Sequence, residues 1–485
     1  MKPLQNILTK PSEKNDAAGL IPVLFWLFFI GHLIFTIVYY PDIPEWKWGD
    51  IFRTNGFTVL LSTTVTFFSA IISTYANSYF KHSGQRLSFM LFCLGFTAAV
   101  ILFLVSDHII LLLLSWFLMG AIMSRLIGLD NNWGEAFEAK RLAGHYFLAS
   151  GVCLSFGLFL LAAYHNVITL SGLMQKVGTT PNYLMVISAL CIITAALIQS
   201  AIFPFHKWLL SSMTAPTPAS ALMHAGFVNG SGIVLTLLAY VIMESKTTDI
   251  LFVIGGLTAV LAQFTKLIQV NVKQRLACST IAQMGFMIMQ CGLGFFNAAI
   301  AHLILHGFYK AYLFLSSGEG VKQSVPAQPP TIRIKWFQAF IVLLYSVLGA
   351  FIFARLTGKG MEWDSGIFLT LIASIAVGQA TYNIVKQNLF TGTQKIILPP
   401  LLFLAGIGAY ALMYNGVSSF MTEMQVIAAP TSVSLLQIVF GLVFLIGFFL
   451  MKLGIYREIP GLYVKLMNLS QPHRKTILMY KAKKQ

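Results

Sequence analysis

The chain has 485 residues, 57% hydrophobic, 13% aromatic and only 10% charged, a balance that excludes a soluble globular domain of this length. Its 32 Lys and Arg outnumber 16 Asp and Glu, for a formal net charge of +16, yet they fall mainly in loops and tails. They read as signals of membrane orientation, so no nucleic-acid partner is expected. Apolar runs of about 20 residues recur along almost the whole chain, each long enough to cross a hydrocarbon core as a helix, whereas a β-barrel would show short alternating segments. The expectation is an all-α polytopic membrane protein of about thirteen or fourteen transmembrane helices with a broken central helix.

Taken in order, the first run at 18–40 lacks a small-residue cleavage site and reads as a retained span. Further spans are expected at 56–77, 87–105, 109–127, 142–164, 183–203, 209–243 (broken), 250–268, 275–294, 297–317, 336–356, 366–386, 397–415 and 432–452. They group into N-terminal helices at 1–106, a central core at 107–320, a Pro-rich loop at 321–335, C-terminal helices at 336–456 and a basic tail at 457–485. That tail carries Arg457, Lys465, Arg474, Lys475, Lys481, Lys483 and Lys484 against Glu458 alone, which places it in the cytoplasm. Cys93, Cys153, Cys191, Cys278 and Cys291 stand singly in apolar runs and read as small core hydrophobes, so neither a metal site nor a cofactor is expected.

Proline and glycine gather at one place within the apolar region, Met213-Thr-Ala-Pro-Thr-Pro-Ala-Ser220 followed by Gly226, Gly230 and Gly232. Pro216 and Pro218 remove backbone donors and clash with the preceding turn, so the helix breaks or kinks there. At bilayer depth a break persists only where protein or a water-filled cavity covers the freed backbone groups. His224 follows directly, either as a satisfied core histidine or as a group placed beside those freed carbonyls.

Farther on, His302, His306 and Lys310 recur at i, i+4 and i+8 on one helix face, rising over about 12 Å. Stacked this way they form either a polar seam between helices or a relay that passes a proton along with intervening waters. Lys266 and Lys273, seven residues apart, are expected on one face as well, either snorkelling to the interface or exchanging protons inside. Asp107 marks a membrane edge or an accessory site, and Arg141 belongs to an interfacial charged face; both, with Lys207 and Lys266, are accessory candidates.

The run SAIFPFHKWLLSSMTAPTPASALMHAG resembles the signature of the proton-translocating antiporter-like subunits shared by complex I and multi-subunit cation/proton antiporters. QVNVKQRLACSTIAQMGFM and AHLILHGFYKAYLFLSSG resemble the two helices that follow it, so the likeness runs from about Asp107 to Ser317. It implies that His224, Lys273, His302, His306 and Lys310 line an ion-translocation path. Three positions depart from the family pattern: Phe117 stands where a glutamate is usual, Gln199 where a lysine is usual, and Asn271 where an acid precedes Lys273. The family's late lysine also has no counterpart in the C-terminal half. Length, these departures and the ending GLYVKLMNLSQPHRKT resemble instead the membrane subunits of DAB-type inorganic-carbon accumulation complexes. That resemblance implies a bacterial inner-membrane transporter subunit, not itself an enzyme, which uses a proton or sodium gradient to drive a large zinc-containing, carbonic-anhydrase-like partner. The alternative it leaves is a proton-pumping subunit of a respiratory NADH–quinone oxidoreductase-like or cation/proton antiporter complex.

Overall fold

The computed structural model describes residues 17–130, 132–318, 336–385, 391–424, 433–453 and 455–477; the expected Pro-rich loop at 321–335 lies outside them. The elements run α1 (Ala17–Tyr39), β1 (Trp46–Trp48), β2 (Phe52–Thr54), α2 (Gly56–Tyr79), α3 (Arg86–Val105), α4 (Ile109–Ile127), α5 (Gly134–His165), α6 (Leu170–Lys176) and α7 (Asn182–Gln199). The broken region follows as α8 (Lys207–Ser211), α9 (Thr217–Ala225), α10 (Gly230–Leu237) and α11 (Ala239–Glu244). Beyond it come α12 (Thr248–Ile268), α13 (Val272–Gly292), α14 (Phe296–Leu315), α15 (Trp336–Thr357), α16 (Gly366–Val385), α17 (Gly392–Phe420), α18 (Leu435–Leu453) and α19 (Pro460–Leu469). Eleven spans are long and apolar enough to cross a membrane, one of them formed by α9 and α10 together. α13, α16 and α18 are further helices outside these eleven, and the all-α polytopic expectation holds among the described residues.

Helix ends are set locally. Asn55 caps α2 by accepting from the Thr58 amide at 3.1 Å while Thr58 Oγ1 accepts from the Asn55 amide at 2.9 Å, so two otherwise orphaned donors are satisfied reciprocally. Asn271 caps α13 through the Gln274 amide, which gives a structural use to a position where the sequence resemblance leads one to expect an acid. Asp107 also acts as a cap: its carboxylate accepts from the Ser171 amide at 2.8 Å and the Ser171 hydroxyl at 2.5 Å, anchoring the start of α6.

α12 and α13 pack backbone against backbone. A Cβ added at Gly255 would come within 2.6 Å of the Gly285 carbonyl oxygen, and one at Gly285 within 2.7 Å of the Ala259 nitrogen. Small residues at these facing positions are what let two helices approach so closely in an apolar setting, where contact itself is the main attraction.

Consecutive spans alternate in direction, so the chain has two faces. The turn between α12 and α13 meets α19, with Gln269 Nε2 donating to the Ser470 carbonyl at 3.1 Å; this is the tail face. The opposite face holds the turn between α13 and α14, where Ser365 Oγ donates to the Leu293 carbonyl at 3.0 Å, and the β1–β2 hairpin. In that hairpin Lys47 lies opposite Arg53, a like-charged pair that Glu45 bridges at 3.2 and 2.8 Å. Burial raises the Glu45 carboxyl, but Arg53 and Lys47 outweigh it and hold the group below its ordinary value.

The segment after α18 binds back onto the broken region. His206 Nε2 donates to the Leu469 carbonyl at 2.9 Å, the His473 amide donates to Ser211 Oγ at 3.0 Å, and Thr476 Oγ1 shares a hydrogen bond with Ser211 at 2.9 Å. Desolvation, with Lys207 adding to it against the opposing pull of the Leu469 bond, lowers His206 to about 4. The folded protein therefore keeps the neutral imidazole, and its stabilisation is complete above the ordinary value of 6.5 and is lost as pH falls from there toward about 4. The shift corresponds to at most roughly 3 kcal/mol. Hydrogen exchange at Ser470 and Thr476 should accelerate over that window, and His206→Gln, which keeps a donor but cannot titrate, should remove the acceleration.

Candidate functional site

The break expected at Pro216 and Pro218 is present and has two parts. α8 closes in a 3₁₀ turn at Ser212–Thr214, Ala215 and Pro216 are extended, and α9 restarts at Thr217 with Pro218 in its first turn. A second irregularity follows α9, a 3₁₀ turn at Phe227–Asn229 before α10. Each frees carbonyls, and several of these have side-chain donors. Lys273 Nζ donates to the Ala215 carbonyl at 2.8 Å and Gln274 Nε2 to that of Leu210 at 3.0 Å. At the second part Asn229 Nδ2 donates to the Ala225 carbonyl at 2.8 Å, Ser200 Oγ to that of Val228 at 2.5 Å, and Gln199 Nε2 reaches that of Phe227 at 3.5 Å.

Between the two parts, α9 carries His224 into the interior with no accessible surface, its ring stacked on Phe314 of α14 at 4.3 Å and 14°. Neither ring nitrogen has a hydrogen-bond partner. On α14, His306 and Lys310 are buried, Lys310 donating to the Leu276 carbonyl at 2.9 Å, while His306 leaves Nε2 without a partner. His302 is half-buried and lies parallel to His306, ring centroids 6.1 Å apart at 22°, with Phe286 at 5.2 Å on its far side. His224 is close enough to His306, Lys310 and Lys273 to feel their charges, and Lys266 close enough to affect Lys310. The structure thus gathers His224, Lys273, His302, His306 and Lys310 at the junction of α9, α13 and α14, with Lys266 beside them. Buried imidazoles without protein partners are satisfied by water or by an incoming proton, so the arrangement is chemically suited to proton exchange.

Several expectations change. Lys266 and Lys273 do not share a helix face, because α12 ends at Ile268 and Gln269–Asn271 is non-helical before α13 begins. They sit on different helices that meet near the tail face. Asp107 belongs to the opposite face and is engaged as a cap. Arg141 is exposed on the first turns of α5, and Lys207 is half-buried at the start of α8 beside the docked tail. Phe117 lies against α5, where a Cβ on Gly151 would come within 2.2 Å of its ring.

Sequence reasoning missed the neutral groups on the other side of the histidines. Gln290, Asn297, Tyr410, Tyr414 and Ser418 lie between α13, α14 and α17, and Tyr410, Tyr414 and Ser418 follow the same i, i+4, i+8 spacing as the histidine stripe. That periodicity within an apolar span was the available signal. Among the described residues no group of three His, Cys, Asp or Glu side chains could hold a metal ion.

Residues 106–358 match the family model described as NADH:quinone oxidoreductase/Mrp antiporter, transmembrane. The chain is similar to a probable inorganic carbon transporter subunit DabB of Hydrogenovibrio crunogenus, 30% identical over 446 residues that make up 88% of this chain and 82% of that protein. It is also 34% identical over 298 residues to a probable inorganic carbon transporter subunit DabB of Bacillus subtilis, covering 61% of this chain and 59% of that one. A chain from the structure of the Mrp complex of Dietzia sp. DQ12-45-1b superposes with a TM-score of 0.56 at 19% identity, over 94% of this chain and 51% of that one, a likeness of fold.

Replacing Lys273 with Met takes the donor from the Ala215 carbonyl and leaves only Ser220 Oγ, at 3.3 Å. The expected cost is about 1–3 kcal/mol, seen as a lower melting temperature in detergent. Gln274→Leu should add to it less than additively, because both side chains hold the same break.

Proposed function

The chain belongs to the NADH:quinone oxidoreductase/Mrp antiporter transmembrane family and is an ion-translocating membrane subunit, and we propose that it is the ion-conducting subunit of an energy-coupled inorganic-carbon transporter. The likeness to probable inorganic carbon transporter subunits over most of the chain supports the carbon substrate. The observation that carries the mechanism is the stripe of half-buried His302 and buried His306 and Lys310 beside His224 at the broken helix.

Protons are the ion this path suits. Sodium prefers oxygen ligands, and the stripe offers imidazoles and amines instead. Lys273 and Lys266 stand at the tail-face mouth, where they take charge from Lys310 and the histidines and release protons to solvent. Phe117 and Gln199, where respiratory pumps of the family carry an acid and a lysine, favour the carbon-accumulation reading over a respiratory pump.

Carbon chemistry belongs to a partner in this proposal: a large zinc-containing subunit like carbonic anhydrase, hydrating CO2 as protons run down their gradient through this chain. The tail face is cytoplasmic and the membrane is a bacterial inner membrane. Supporting the orientation, the tail carries Arg457, Lys465, Arg474 and Lys475 against Glu458 alone.

Two experiments test the proposal. Lys310→Met removes the exchangeable amine while keeping length and apolar packing, and since an ammonium is costly to bury it should leave the melting temperature unchanged or raised. Proton uptake driven by an imposed pH gradient should fall to background in proteoliposomes of the variant; wild-type uptake would remove Lys310 from the path. Expressed alone, the chain should not rescue growth in air of a host lacking carbonic anhydrase, whereas co-expression with its partner should, and rescue by the chain alone would end the two-component reading.

A further inference from the structure

We propose that beyond His302 the path continues to the opposite face through a ladder of neutral hydroxyls, Tyr410, Tyr414 and Ser418 of α17, positioned by Gln290 and Asn297. The inference rests on the proton-conducting reading of the histidine stripe and assigns its second half.

The geometry begins where the stripe stops. His302 is half-buried, with Phe286 against its outer side, and Phe286 lines a cavity of about 340 Å3 between α13 and α15–α17. Gln290 and Tyr410 are the polar side chains in its wall, beside Phe353, Phe403 and Ile407. Gln290 is almost fully buried, its amide faces the Tyr410 hydroxyl, and its Oε1 has no partner. A buried amide oxygen left unpaired costs free energy, so this corner is a polar site with unused hydrogen-bonding capacity.

Below it the groups connect. The rings of Tyr410 and Tyr414 are nearly parallel at 6.3 Å, and Asn297 Nδ2 donates to Tyr414 Oη at 3.1 Å and to Ser418 Oγ at 2.8 Å. Asn297 sits at the start of α14, one turn and a half below His302 on the helix that carries the stripe. Because Asn297 supplies the proton to the Tyr414 oxygen, the phenol's own proton is free to be donated onward. The ladder ends at the rim of the opposite face, where Lys359 lies 4.5 Å from the Phe295 ring centroid and 5.9 Å from that of Tyr414.

Each step conserves charge. A proton arriving from the opposite face bonds to the Tyr414 oxygen as that phenol's own O–H proton leaves to a bridging water; the water passes one of its protons to Tyr410, whose original O–H proton moves through a second water to the neutral His302 imidazole. Every phenol remains neutral before and after, and rotation of its O–H resets the ladder. Water is the co-reactant, bridging the Tyr410 and Tyr414 hydroxyls, which share no direct hydrogen bond among the described residues. Gln290 and Asn297 are positioning residues that fix which oxygen accepts.

The test uses the full chain with its co-purified partner in proteoliposomes, with proton flux read by an internal pH dye. Tyr410→Phe and Tyr414→Phe delete single hydroxyls and nearly nothing else. Each is expected to reduce flux by about a hundredfold with an unchanged melting temperature. Asn297→Leu should do the same, and Asn297→Ser, which keeps a donor, should recover part of the flux. Phe403→Leu alters the same cavity wall without touching a hydroxyl and should conduct as wild type. Normal flux in the Tyr410→Phe, Tyr414→Phe double variant, or an equal loss in Phe403→Leu, would overturn the ladder. Lys310→Met separates this from the parent reading: if it is silent while the phenylalanine variants conduct, only the ladder fails, and if it also conducts, the histidine path fails with it.

Discussion

The arrangement depends on the hydrogen bond from Lys273 to the Ala215 carbonyl. Pro216 and Pro218 prevent α8 and α9 from forming one continuous helix, and in apolar surroundings each freed carbonyl needs a donor or costs several kcal/mol. An ammonium satisfies that requirement from the neighbouring helix, with Gln274 doing the same for Leu210 one turn earlier. The break therefore persists in one geometry, and α9 leaves it at the angle that lays His224 on Phe314. The same contact brings Lys273 inward from the tail face, so one bond both holds the discontinuity and places the tail-face cation of the proposed path.

What lets Lys273 reach is the packing of α13 on α12. Glycine at 255 and 285 removes the side chains that would separate these helices, and α13 is fixed along its length from Lys273 at one end to Gln290 near the other. The proposed path then contains three lysines, Lys266, Lys273 and Lys310, and three histidines, with no carboxylate among these residues. A proton added to one group raises the cost of the next, because like charges in a low-dielectric interior repel strongly. On the proposed path such cations would conduct by displacement, the arrival of charge at the histidines driving a proton off Lys310 toward the tail face. A neutral entry route suits such a row, since hydroxyls deliver a proton without adding a fixed charge that would attract and hold it.

The sequence made legible those features that a single residue type determines. Pro216 and Pro218 announced the break, and the spacing of His302, His306 and Lys310 announced a shared face that the structure turns inward. Lys266 and Lys273 were harder, because seven residues imply one face only if the helix is continuous, and the non-helical Gln269–Asn271 is not marked by Pro or Gly. Asp107 was ambiguous for the opposite reason: an acid at a membrane edge suits a cap as well as a path, and its partner Ser171 lies 64 residues away. Gln290, Asn297 and Tyr414 were illegible one at a time, since isolated amides and phenols are common in apolar spans. Their meaning comes from α14 meeting α17, a contact that no local pattern contains.

The break is also where a change outside the membrane can be felt within it. Ser211 at the end of α8 accepts from the tail at His473 and Thr476, and His206 just before α8 donates to Leu469, so the docked tail and Lys273 hold the same short segment from opposite sides. Coupling requires two states that differ in their affinity for a proton or a partner, and a ligand shifts them only by that difference. Side-chain donors on exposed carbonyls supply such a difference: a neutral lysine donates to Ala215 more weakly than an ammonium does. On the proposed path, protonation of Lys273 strengthens its bond to Ala215 and deprotonation weakens it, at a short segment that the tail also holds through Ser211.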